Sequence, residues 1–98
     1  MKKERSYFVY ILSNKKRGSL YIGVTANVLN RNWQHKIKQD KRSFTSRYNI
    51  DKLVYYETFS DIYNAITREK QLKRWHRDWK INLIETENPF WKDLLFGS

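Results

Sequence analysis

Apolar and polar positions follow two different periods along this chain, and the switches between them mark its elements. Tyr7-Phe8-Val9-Tyr10-Ile11-Leu12 and Leu20-Tyr21-Ile22-Gly23-Val24-Thr25 are short β-branched and aromatic runs, separated by the polar segment Asn14-Lys15-Lys16-Arg17-Gly18-Ser19. Two such runs around a glycine-containing loop predict a hairpin. Asn27 then offers an N-cap, and Leu29, Trp33 and Ile37 recur at i, i+4 and i+8 with no breaker between Val28 and Lys38, which predicts a helix. A polar, basic loop from Gln39 to about Asp51 leads into a third strand, Leu53 to Phe59, after which Ser60 and Asp61 open another helix. From Ser60 to Asn88 there is no Pro or Gly, yet the apolar stripe drifts from Ile62, Ala65, Ile66 and Leu72 to Trp75, Trp79 and Leu83. That drift predicts two helices with a bend near His76. Pro89 stops the second of them, and Phe90, Trp91, Leu94 and Leu95 are expected to fold back on the core. The pattern predicts an α+β fold: a small three-stranded antiparallel sheet flanked by helices, in the order ββαβαα.

Composition narrows this picture. Ninety-eight residues suffice for one domain with an economical core and not for two, so residues 1–98 are read as a single domain. An apolar fraction of 40% and an aromatic fraction of 16% place the chain among folded sequences in spite of its charge. It has no cysteine, which excludes disulfides and thiolate metal sites and suits a reducing compartment. Neither a long apolar run nor a secretory pattern after Met1 is present, so a soluble, cytoplasmic protein with no membrane partner is expected. Twenty Lys and Arg against ten Asp and Glu give a net charge of +10. Such an excess favours a polyanion as partner, because neutralising phosphates releases condensed counterions; a basic surface that serves only solubility is the plainer alternative.

Within the pattern, Glu69 is a local contradiction. At about 100° per residue it falls at the centre of the stripe made by Ile62, Ala65, Ile66 and Leu72. A carboxylate there needs a cation, a hydrogen-bond network or an opening to a cleft. An ion pair with Lys73 at i+4 would satisfy it without any function. In the hairpin, a register with Ser13 facing Leu20 sets Tyr10 opposite Gly23 and Leu12 opposite Tyr21. Both tyrosines then share one sheet face, with room beside Tyr10 left by Gly23. Ordinary packing aromatics would look the same one at a time. Arg31 and His35, at i and i+4, project together away from the apolar stripe of their helix, either as a solvated face or as part of a site. His76 lies in the basic run Lys73-Arg74-Trp75-His76-Arg77 and reads as binding surface. Two His and no Cys argue against zinc, and ten scattered acids argue against a two-metal cluster. One magnesium, or manganese in its place, demands less: it accepts a single carboxylate and completes its shell with water and substrate phosphate.

Taken in order, Tyr10 in Phe-Val-Tyr-Ile-Leu, Tyr21-Ile22-Gly23, Arg31, His35 and Glu69 in Ala65-Ile66-Thr67-Arg68-Glu69-Lys70 form a series that resembles the GIY-YIG nuclease superfamily. The likeness runs from about Tyr7 to Asp93 and includes Lys70-Gln71-Leu72-Lys73-Arg74-Trp75 and Asn88-Pro89-Phe90-Trp91, as in the short single-domain members. The first motif has Phe8-Val9-Tyr10, so the leading glycine of Gly-Ile-Tyr is absent. The resemblance implies one-metal hydrolysis of a phosphodiester. Tyr10 would be the general base, Tyr21 would help to arrange the site, Arg31 would neutralise phosphate charge, His35 would orient Tyr10 or the phosphate, and Glu69 would hold the metal. Gly23 and Asn88 would support them.

Three readings follow. The first is a metal-dependent endonuclease acting on nucleic acid, DNA in the first instance, with a protein partner as one source of target specificity. The second is a catalytically weak or inactive nucleic-acid-binding module in DNA repair or RNA handling, with Arg68, Lys70, Lys73, Arg74 and Arg77 on phosphates and exposed aromatics for stacking. The third is a protein-interaction domain whose tryptophans pack on a partner.

Overall fold

The computed structural model describes residues 6–26, 50 and 52–94. The helix expected over Val28–Lys38, with its Arg31 and His35, and the tail residue Leu95 lie outside the described residues.

Three strands, β1 (Tyr7–Ser13), β2 (Leu20–Ala26) and β3 (Lys52–Phe59), form an antiparallel sheet in the order β2-β1-β3. β1 lies in the centre and is buried from Phe8 to Ser13, as its unbroken apolar run requires. The hairpin register is the expected one: Tyr10 pairs with Gly23, Leu12 with Tyr21 and Ser13 with Leu20. Its loop is closed by side chains. Asn14 Oδ1 accepts from the Ser19 N–H (2.9 Å), and Ser13 Oγ donates to the Lys15 carbonyl (2.6 Å). Gly18 leaves room for this contact, because a Cβ on it would stand 2.0 Å from Asn14 Oδ1 and displace that side chain. On the other side of β1 the pairing with β3 shifts between Ile11 and Leu12, so that Tyr55 faces Ile11 while Leu53 faces Leu12.

The sheet separates two apolar clusters. On one face Val9, Ile11, Ile22 and Tyr55 pack with Ala65, Leu72, Ile84 and Trp91; on the other Tyr10 and Leu12 pack with Ile50 and Leu53, with Tyr21 at the margin. The first face carries the two C-terminal helices, α1 (Ile62–Arg74) and α2 (Arg77–Glu87). Asp61 caps α1 by accepting from the Asn64 N–H at 3.0 Å, and Lys73 and Arg74 complement the dipole at its other end. The bend falls where the drifting stripe places it, with Trp75 and His76 both extended between the helices. Straightening the chain there would swing Ile84 away from the face that Ala65 and Leu72 occupy.

α2 stops at Asn88, whose side chain does the work of a clamp. Its Nδ2 donates to the carbonyls of Val54 (3.0 Å) and Lys92 (2.9 Å), and its Oδ1 accepts from the Lys92 N–H (3.0 Å). The tail then runs back beside β3, the Leu94 N–H donating to the Leu53 carbonyl (2.7 Å). Trp91 enters the core as expected, but Phe90, 75% exposed, does not. The left-handed turn at Trp91 (φ 56°) sends the two rings in different directions. No helix among the described residues is long and apolar enough to cross a membrane.

Candidate active site and nucleic-acid interface

Tyr10 and Tyr21 come together on one sheet face, their ring centroids 6.4 Å apart. Tyr10 is 1% exposed, and its phenol lies directly over Gly23: a Cβ there would meet the Tyr10 hydroxyl at 2.6 Å and Cζ at 2.7 Å. The missing side chain of Gly23 is therefore the space in which the Tyr10 phenol sits. Tyr21 is half-buried on the edge strand β2.

Glu69 approaches from the other side. It stands on the α1 stripe between Ala65 and Leu72, with its side chain 15% exposed and Oε2 3.0 Å from the ammonium of Lys73. The cation that the buried position demanded is thus the i+4 lysine. α1 covers the sheet face opposite the tyrosines, so Glu69 and the tyrosine pair lie on different faces of the sheet, with β2 at the edge between them. A cleft of about 320 Å³ opens at that edge, lined by Leu20, Tyr21, Ile22, Lys73 and Lys80. Its wall brings together Tyr21 on β2, the lysine that holds Glu69, and Lys80 of α2; Tyr10 and Glu69 are not among its lining residues. Burial, with the charge of Arg77, pushes the Lys80 ammonium below its ordinary range. Lys80 was not singled out from sequence; its spacing of seven from Lys73 across the bend gave no helical signal.

The residues expected to contact phosphates divide into two groups. Lys70 and Arg74 are exposed on α1, in a groove of about 330 Å³ with Thr67, Gln71 and Trp75. Lys73 is half-exposed and bound to Glu69. Arg68 instead faces the protein: its Nε and Nη2 donate to both oxygens of Glu57 (2.9 Å each), Nη1 donates to Gln71, and the guanidinium stacks 5.1 Å from the Trp75 ring centroid. The Tyr55 hydroxyl donates to the same carboxylate. Burial pushes the Glu57 carboxyl up, but the Arg68 and Tyr55 hydrogen bonds and the Arg68 charge outweigh it and leave it below its usual range. Burial together with Glu57 raises the Tyr55 phenol. Glu57 also escaped the sequence reading, although its period-two spacing from Tyr55 put an acid on the inward face of β3. Arg77 likewise turns inward, donating to the carbonyls of Arg17 and Gly18 in the hairpin loop. Arg17 in turn pairs through two bonds with Glu85, which also accepts from Trp91 Nε1 at 2.7 Å. The Arg17 hydrogen bonds, then that of Trp91, hold the Glu85 carboxyl down at about 2.

Asn88 is buried and its carboxamide is committed to the chain turn, so it anchors the end of α2 to β3. No group of three or more His, Cys, Asp or Glu side chains among the described residues is arranged to hold a metal ion. A protein-built metal cage is therefore not what these residues offer. Glu69 is a single carboxylate paired with a half-exposed lysine, and a hard divalent ion can be held by one acid with water and phosphate.

Comparison with known proteins bears on the same residues. The GIY-YIG catalytic domain profile matches residues 6–82, from before β1 into α2. The UPF0213 protein of Staphylococcus haemolyticus is 35% identical over 79 residues, covering 81% of this chain and 94% of its own length. The UPF0213 protein of Syntrophus aciditrophicus is 32% identical over 82 residues, covering 84% and 92%. No solved structure gives a significant match. Membership implies nuclease-type activity in general, a general dependence on divalent metal, and nucleic acid as the partner class. With the domain match spanning both tyrosines, Gly23 and Glu69, and with relatives aligned over nearly their full length, the chain belongs to the GIY-YIG family.

Proposed function

We propose that this protein is a metal-dependent endonuclease that hydrolyses nucleic-acid phosphodiester bonds, DNA in the first instance, at the cleft along the β2 edge. The observation that carries the reading is a carboxylate, Glu69, kept at 15% exposure on an apolar stripe beside a cleft with Tyr21, Lys73 and Lys80 in its wall. Glu69 would hold the magnesium or manganese ion. When bound, that ion supplies positive charge to the phosphoryl and leaving oxygens. With the ion on Glu69, Lys73 would become available to the substrate phosphate together with Lys80, and Arg31 would neutralise phosphate charge. Water attacks phosphorus, the bond from phosphorus to the leaving oxygen breaks, that oxygen takes up a proton from solvent, and the strand ends in one phosphate and one hydroxyl.

Tyr10 takes the proton of the attacking water and passes it on as the new bond forms. A free tyrosine titrates at about 10, so positive charge from Arg31 and the metal would be needed to make this transfer favourable near neutral pH. Tyr10 is 1% exposed, so this role requires the attacking water to reach a phenol closed off from bulk solvent. Tyr21 holds the Tyr10 ring in place from the edge, His35 orients the base or the phosphate, and Gly23 and Asn88 support the strand and helix that carry the others. The Glu69–Lys73 ion pair also favours a second reading, a nucleic-acid-binding module without turnover, since it satisfies the acid with no metal. A panel of end-labelled DNA and RNA substrates separates them. The nuclease reading expects cleavage with magnesium that chelator and Glu69→Ala abolish while binding survives; equal cleavage by wild type and variant would sink the assignment.

A further inference from the structure

The bend between α1 and α2 carries an aromatic group that the cleavage chemistry does not use. Trp79 is 53% exposed, although its position on α2 would accept a polar residue at no cost to the core. It is propped in place without being covered. The Trp75 ring meets it edge to face at a centroid distance of 5.8 Å and 83°, and the His76 ring does so at 5.2 Å and 83°. The Trp75 ring packs against the Arg68 guanidinium, and the Trp75 backbone N–H donates to the Leu72 carbonyl at 3.2 Å. The Trp79 backbone N–H donates to the His76 carbonyl at 3.0 Å. The two rings are thus braced by their neighbours in the free protein, which lowers the ordering entropy that opposes a ligand stacking on them.

The surroundings of this corner are cationic. Lys70 and Arg74 project from the exposed back of α1 into the groove that ends at Trp75, and neither is paired with an acid among the described residues. A protein interface would surround such a tryptophan with apolar neighbours, whereas alternating cations and flat rings match a strand whose phosphates and bases alternate. A duplex hides its base faces; an unpaired strand offers them. Lys70 and Arg74 also lie on the helix back between Trp75 on one flank and Glu69 on the other, a path from the rings to the cleft.

We propose that Trp79, with Trp75 and His76, is a base-stacking site for unpaired nucleotides, and that Lys70 and Arg74 hold the phosphates of the same strand. The nucleic acid that the protein handles therefore carries a single-stranded segment beside the phosphate to be cut. This deepens the nuclease reading and rests on its claim of a nucleic-acid partner.

Fluorescence anisotropy in chelator, with a labelled single strand, a blunt duplex and a flapped duplex, tests it. Trp79→Ala should bind the single strand and the flap roughly 5- to 150-fold more weakly than wild type, the loss of one stacked base, with blunt-duplex binding unchanged. Trp79→Phe should recover most of the loss, since it keeps a ring. Wild-type tryptophan fluorescence should be quenched by the single strand and much less so in Trp79→Ala. If wild type binds nucleic acid and Trp79→Ala binds all three ligands as wild type does, or loses them all alike, the stacking site is overturned while the nuclease reading stands. If wild type binds none of the three, both fall together.

Discussion

Gly23→Ala measures how tightly the first tyrosine is seated. The added Cβ would lie 2.6 Å from the Tyr10 hydroxyl and 2.7 Å from Cζ, distances at which something must move. Tyr10 is 1% exposed and sits on the central strand among Leu12, Ile50 and Leu53, so the ring has no open space to enter. Overpacking of this kind costs about 1–3 kcal/mol. Against it, Gly23 has no positive φ, so alanine is compatible with the backbone and gains about 0.4–1 kcal/mol by restricting the unfolded chain. The net is a loss of up to about 2.6 kcal/mol, centred near about 1.3 kcal/mol, which at a urea slope of about 1 kcal/mol/M moves the midpoint down by about 1 M. The same substitution in a Tyr10→Leu background meets no phenol, and its sign should reverse to a gain of about 0.4–1 kcal/mol. Urea unfolding of the four proteins, at constant slope, closes the cycle. A loss from Gly23→Ala that is the same in both backgrounds would refute the contact and with it the seat assigned to Tyr10.

Two further outcomes follow from the ion pairs. Arg68→Met strands the Glu57 carboxylate at 19% side-chain exposure with Tyr55 alone, and should cost about 1–3 kcal/mol after allowance for partial solvation; adding Glu57→Gln should restore part of it, and a double variant no better than the single one would contradict the pairing. Glu85 is held at about 2 in the fold against an ordinary 4.5, so its contribution is present above 4.5 and lost as pH falls towards 2. The melting temperature of wild type should therefore exceed that of Glu85→Gln near neutral pH and converge with it across that window, whereas a constant gap would show that Arg17 and Trp91 do not set the Glu85 ionisation.

Much of this architecture was legible because local rules and tertiary packing agree. The hairpin register follows from two apolar runs and the loop between them, and it put Tyr10 opposite Gly23 before any contact was seen. The bend near His76 was readable from the drift of the apolar stripe, although neither Pro nor Gly marks it. What escaped depends on partners distant in sequence. Arg68 and Arg77 read as free cations in a basic run, but Glu57 is eleven residues from Arg68, and the loop carbonyls that take Arg77 are about sixty away. Glu69 shows the limit from the other side. Its place on the stripe announced an acid needing a cation, and Lys73 at i+4 was foreseeable, yet that pairing is common to a resting metal site and to an inert helix.

The central claim is that the hairpin tyrosines and Glu69, on opposite faces of the sheet, act as one metal-dependent site around the edge of β2. Paramagnetic manganese titrated into isotope-labelled protein tests it most directly. Amide signals of Glu69 and Lys73 should broaden together with those of Tyr21, Gly23 and Tyr10, and Glu69→Gln should remove the broadening from both groups at once. Broadening confined to the Glu69 turn, or scattered over the surface acids and unchanged in the variant, would contradict a single site.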